Sequence, residues 1–112
     1  MRSDSERLMD IIDSIEVIEK AIASNAMELH QLQDIEYLGI VRCIEIIGEA
    51  VNNISKQVKE QYQKVPWKEI VKMRNVVVHQ YFEIDHDMVD IVVRKSIPEL
   101  KKQIEQIIKE VG

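Results

Sequence analysis

Leu8, Ile11, Ile15, Ile18 and Ile22 recur at alternating intervals of three and four, the period of a single helix face. The pattern predicts a first helix over 3–24, with Ser3 or Asp4 as its N-cap and acidic residues in its first turns. Residues 25–32 lose the period and read as a bend. Beyond them Ile35, Leu38, Ile40, Val41, Ile44, Ile46, Ile47, Ala50, Val51, Ile54 and Val58 fill more than one stripe, which predicts a long second helix over about 34–62. A helix that is apolar on several sides is buried on several sides. Its extra face calls for an intramolecular neighbour or a second copy of the chain, and dimerisation is the favoured expectation. Gly48 sits in the middle of this helix, where it costs about 1 kcal/mol relative to Ala. Close approach of another helix would compensate for it.

Pro66 suits a first helical turn, where its missing N–H removes nothing. A third helix follows over 66–79, with Trp67, Ile70, Val71, Met73, Val77 and Val78 as packing residues. Phe82 to Asp85 read as a break, with Asp85 as a cap. A short helix over 86–95 uses Met88, Ile91 and Val92. Ser96 and Glu99 match a capping box, with Pro98 in the first turn of a closing helix over 97–111. Helices joined by short loops predict an all-α, antiparallel four- to five-helix bundle. Residues 1–112 read as one domain, without internal repeat or linker.

Composition narrows the class. Three Gly, two Pro and 4% aromatics among 112 residues argue against a sandwich or barrel with its frequent turns. The single Cys43 excludes a disulfide framework and a cysteine-based zinc module, and reads as a small core residue. No apolar run approaches the length of a membrane span. The charged stretch Met1–Asp13 does not resemble a signal peptide. A cytoplasmic protein with no membrane partner is the expectation.

The net charge of −5 disfavours nucleic-acid binding through bulk electrostatics, but the charge is unevenly spread. Residues 1–55 carry four basic and eleven acidic side chains. Residues 56–79 carry six basic ones (Lys56, Lys59, Lys64, Lys68, Lys72 and Arg74) and two acidic. This segment is either a solvated lysine-rich face or a phosphate-binding strip.

Within it, Arg74-Asn75-Val76-Val77-Val78-His79-Gln80-Tyr81 breaks the amphipathic pattern. On a helix Asn75 and His79 would share a face, and Arg74 and Tyr81 would nearly eclipse. Arg grips phosphate bidentately, and His exchanges a proton near neutral pH. Together they are a minimal kit for RNA cleavage without a metal, because the ribose 2′-hydroxyl supplies the nucleophile. The same residues at a helix C-terminus could instead satisfy its last carbonyls and complement its dipole. Other chemistry is less favoured. His30 and His86 lack metal-ligand spacing, and there is neither an H-E-x-x-H motif nor a phosphate-cradling glycine loop. Asp85 and Asp87 read as capping residues before metal ligands. No metal site and no cofactor are expected.

The segment Arg74–Tyr81 matches the R-x4-H-x-Y motif of HEPN domains. Beyond it, EIIGEA at 45–50, VPWKEIVKMRNVVVHQYFEID at 65–85 and IPELKKQIEQII at 97–108 resemble the HepT-like family, the toxin half of the HepT/MntA toxin–antitoxin pair. The similarity covers about residues 5–110. The sequence departs from the family at Lys72 and Glu83, where Gly is common, and at Asp90, where Trp is common. The resemblance implies a homodimeric bundle with two motif copies facing one cleft. It also implies a metal-independent ribonuclease acting on transfer or messenger RNA. Carried over by position, Arg74 and His79 form the catalytic pair and Asn75 supports them. Lys68 and Lys72 are RNA-binding candidates, and Tyr81 is the hydroxyl to which an MntA-like minimal nucleotidyltransferase antitoxin attaches AMP. The alternative is a non-catalytic binding or regulatory subunit of such a nucleotidyltransferase.

Overall fold

The computed structural model describes residues 2–25, 34–80 and 83–111. The elements are α1 (Asp4–Asn25), α2 (Asp34–Asn53), α3 (Lys56–Gln61), α4 (Trp67–Val77), β1 (Val78–Gln80), β2 (Glu83–Ile84), α5 (His86–Ile91), a π-helical turn (Val92–Ser96) and α6 (Ile97–Val111). The fold is all-α, with β1 and β2 as a small two-stranded ribbon inserted between helices.

The predicted first helix is present, and its entry is a reciprocal capping box. The Glu6 N–H donates to Ser3 Oγ at 3.1 Å, and the Ser3 N–H donates to Glu6 Oε1 at 3.1 Å, satisfying two otherwise orphaned donors. Leu8, Ile11, Ile15 and Ile18 of the predicted stripe are buried. α1 packs on α2, α2 also packs on α4, and α6 closes against α1.

The second helix is shorter than its apolar pattern predicts. α2 stops at Asn53, and a separate helix α3 starts after Ser55. Ser55 has extended backbone (φ −61°, ψ 152°), and its hydroxyl accepts from the Val58 N–H. The Ser55 N–H donates to Asp4 Oδ1 at 2.9 Å. The start of α1 thus pins the α2–α3 junction. Asn52 and Asn53, both poor helix formers, precede the break, while Ile54 and Val58 still enter the core.

α2 buries Ile40, Val41, Ile44, Ile47, Ala50 and Val51 within its own chain. The intramolecular neighbours α1 and α4 therefore account for most of its several apolar stripes. Ile35 (83% exposed) and Leu38 (54% exposed) at its N-terminal end are left uncovered.

The closing helices also differ from expectation. Ser96 does not open a new helix, because the chain runs helically from His86 to Val111 through the π-turn, with Ile97 in helical geometry (φ −65°, ψ −47°). A π-turn places one extra residue in a helical turn. It connects the buried Val89, Val92 and Val93 to the buried Ile97, Leu100, Ile104 and Ile107. Asp85 caps this run as predicted, its Oδ1 accepting from the Met88 N–H at 3.0 Å.

Among the described residues no helix is long and apolar enough to cross a membrane.

A candidate active site where the fourth helix becomes a strand

The apolar pattern carries a helix through residue 79, but α4 ends at Val77. Three consecutive β-branched residues, Val76-Val77-Val78, explain the early stop. Their restricted χ1 favours extended backbone, and a strand partner is at hand. Val78 pairs with Ile84 and Gln80 with Glu83, antiparallel. The Val77 carbonyl, which the helix end would otherwise orphan, accepts from the Asp85 N–H at 2.9 Å. His79 lies between the two ladder pairs, where the register slips by one residue. Such bulges re-aim the local chain and recur beside functional sites. The expected sharing of one helix face by Asn75 and His79 therefore does not occur, because His79 lies beyond the end of the helix. Arg74 and Asn75 stand on the last turn of α4, and His79 stands on β1. Tyr81 lies outside the described residues.

Arg74 is half-buried. Its Nε donates to Asn75 Oδ1 at 3.2 Å, so the neighbour predicted to support the motif does contact the guanidinium. Behind Arg74 lies Gly48 of α2. A Cβ built on Gly48 would stand 2.6 Å from Arg74 Cβ, 2.7 Å from Cδ and 2.9 Å from Cγ. The close helix approach expected at Gly48 is thus real, and the group that approaches is the arginine's aliphatic stem.

Glu45 and Glu49 flank Gly48 in sequence but are turned to another cation. Arg42 Nη1 lies 3.6 Å from Glu45 and 3.5 Å from Glu49. Among the described residues no carboxylate pairs with Arg74, which leaves guanidinium donors for an anion. Lys68, Lys72 and Asn75 follow one another at intervals of four and three on the exposed face of α4, a helical stripe on a different side of the helix from Arg74. No carboxylate pairs with either lysine among the described residues.

One pair was missed in the sequence. The Tyr37 hydroxyl and His86 Nδ1 are hydrogen-bonded at 2.6 Å, and their rings lie 5.2 Å apart. They tie α2 to the first residue of α5, just past the ribbon. Burial, then the negative charges of Asp90 and Asp85, push the Tyr37 hydroxyl pKa up, so it stays a neutral hydrogen-bonding group. The residues are 49 apart, and no local pattern marks them as partners. Cys43 is buried, and burial raises its thiol pKa, as suits a core residue. Among the described residues no three His, Cys, Asp or Glu side chains group as metal ligands would.

An arginine stem packed on a glycine and an adjoining amide end α4, and a histidine follows on the bulged strand. Comparison with known proteins gives the class. Residues 11–107 match the family model described as "Ribonuclease HepT-like", and the chain belongs to this family. It is 33% identical to "Probable ribonuclease HepT" of Thermococcus cleftensis, over 96% of this chain and 98% of that protein. Two Methanocaldococcus jannaschii proteins, each named "Putative RNase", are also similar. MJ1216 is 46% identical over 64% of this chain and 60% of its own length, and MJ1380 is 37% identical over 88% and 90%. The match thus spans about 60% of MJ1216 but nearly the whole of the Thermococcus protein. No solved structure gives a significant match.

Proposed function

We propose that this chain is the toxin of a HEPN/MNT-type toxin–antitoxin pair, a cytoplasmic homodimer that cleaves RNA without a metal ion, transfer RNA among its targets. The observation that carries the reading is Arg74. It is half-buried, hydrogen-bonded to Asn75, without a carboxylate partner among the described residues, and five residues before His79 in the chain, in a family of ribonucleases.

In this reading the ribose 2′-hydroxyl attacks the adjacent phosphorus and the 5′-oxygen leaves, giving a 2′,3′-cyclic phosphate. Arg74 neutralises the charge gathering on the phosphate oxygens. His79 takes the 2′-hydroxyl proton or returns one to the leaving oxygen. Lys68 and Lys72 guide the RNA backbone along α4. The uncovered Ile35 and Leu38 suit a partner copy that brings two motifs to one cleft. The nucleotidyltransferase antitoxin transfers AMP from ATP to the Tyr81 hydroxyl, with pyrophosphate as the leaving group. The added bulk and negative charge would compete with substrate phosphate and silence the toxin.

The test is cleavage of a transfer RNA pool in EDTA by protein of verified unmodified mass, compared with His79→Ala. Cleavage by wild type alone is the expected result, and equal rates would refute the assignment. Co-expression with the cognate nucleotidyltransferase should add AMP mass to the peptide holding Tyr81. AMP found on another residue, with Tyr81 bare, would move the modification site.

The second reading is a non-catalytic regulatory subunit of the nucleotidyltransferase. The carboxylates of Glu45 and Glu49 on α2, three residues before and one residue after Gly48, favour it, because they repel RNA. It predicts a stable complex with the nucleotidyltransferase and no cleavage by either protein form.

A further inference from the structure

Gly48 stands apart from the chain's other helical glycine. Gly39, also on α2, has nothing within 4 Å of the Cβ that an alanine would add. At Gly48 the added carbon would meet three successive carbons of one side chain, Arg74 Cβ, Cγ and Cδ, all inside 3 Å. A rotamer change can move Cγ and Cδ. It cannot move Cβ, which travels only with the α4 backbone.

We propose that Gly48 is a positioning residue for Arg74: the notch left by its missing side chain seats the arginine stem, sets the spacing of α2 and α4, and so places the guanidinium. This rests on the reading of Arg74 as the phosphate-binding group. Ordinary carbon contact begins near 3.4 Å, so an alanine at 48 must open a gap of about 0.8 Å against the 2.6 Å seen at Arg74 Cβ. That displacement falls on the backbone carrying the guanidinium. Displacement of a reacting group by about 1 Å can cost on the order of a hundredfold in rate. The glycine is thus not a tolerated weak point of α2 but the surface against which Arg74 is held.

The experiment compares Gly48→Ala with Gly39→Ala as the control on the same helix. The first measurement is the Arg74 Nε–Hε NMR resonance, assigned by its loss in Arg74→Lys. Gly48→Ala should shift or broaden it while Gly39→Ala leaves it in place. An unmoved resonance in a folded Gly48→Ala protein overturns the proposal. This measurement needs no RNA, so it decides the role of Gly48 even if wild type cleaves nothing and the nuclease reading falls.

With a transfer RNA pool as probe, and well below the melting transition, Gly48→Ala should lose about 10- to 100-fold in cleavage rate and Gly39→Ala should match wild type. If Arg74→Ala abolishes cleavage while folded Gly48→Ala cuts at the wild-type rate, the positioning role is wrong and the nuclease reading stands. Where Gly48→Ala melts early, Arg74→Gly supplies the second test. With the stem and its Cβ gone, Gly48→Ala should lower the melting temperature of Arg74→Gly little or not at all. A loss as large as in the wild-type background would show that Gly48 accommodates something other than Arg74.

Discussion

The α1–α2 layer and the α4–ribbon segment obey different rules. In the layer, every inward position follows from helical period. Leu8, Ile11, Ile15 and Ile18 face Ile40, Ile44, Ile47 and Val51, all at most 1% exposed. In the segment, period fails after Val77, charged and amide side chains crowd one face, and an apolar residue, Val76, is left 45% exposed. Where local preferences agree, the chain builds a scaffold. Where they conflict, as helical period does with three β-branched residues, it builds the place where a histidine leaves the helix that carries its arginine. Such local inconsistency is where function is expected to reside.

Mutations can separate the two regions. The largest stability effect belongs to the layer: Ile44→Ala, at a fully buried position, should cost about 2–5 kcal/mol in urea denaturation. Cleavage per folded molecule should be unchanged. Arg74→Ala should do the reverse. It should lower RNA cleavage by about a hundredfold, or about 2.7 kcal/mol of transition-state stabilisation, while the melting curve moves far less than for Ile44→Ala. An Arg74→Ala protein as unstable as Ile44→Ala would erase the distinction.

Smaller effects sharpen it. Ser3→Ala removes the acceptor for the Glu6 N–H and should cost about 1 kcal/mol without touching cleavage. Gly39→Ala, with open space around the new methyl, should stabilise α2 by about 0.5–1 kcal/mol. The smallest effect is at Asp4, where hydrogen bonding from Ser55 lowers the carboxyl pKa. The folded state favours the ionised form, so this contribution is complete above the ordinary carboxylate range. It is lost as pH falls through the lowered folded value. Asp4→Asn should therefore flatten the acid limb of the stability curve below about pH 4, and an unchanged limb would assign that titration to other carboxylates.

The two regions also differed in how much could be read from the chain. The stripe of α1, the cap at Asp85 and the close approach at Gly48 were legible, because each rests on residues within a few positions or on a single conspicuous glycine. The end of α2 is hidden in the sequence because Ile54 and Val58 continue its apolar pattern across a break made by Ser55 and Asp4, and Asp4 is 51 residues away from Ser55. The end of α4 is hidden in the sequence because Val77 and Val78 fit a helix-packing pattern, although a valine triplet followed by Phe82 and Ile84 also spells a ribbon. Ser96 has the spacing of a capping box with Glu99, but tertiary packing carries the helix through it as a π-turn. Arg74 and Asn75 could be proposed together as neighbours in sequence. The glycine behind the arginine could be flagged but not assigned, since only the fold says which side chain fills its notch.

The burial of Cys43 has a practical consequence. It is the sole thiol of the chain, 8% exposed on α2, and its raised pKa keeps the reactive thiolate scarce. A thiol reagent can reach it only while the surrounding helices part, so the labelling rate is a stopwatch for that breathing motion. The natural sequence thus carries its own clock, one that can be read with and without RNA or a binding partner and without adding a foreign label.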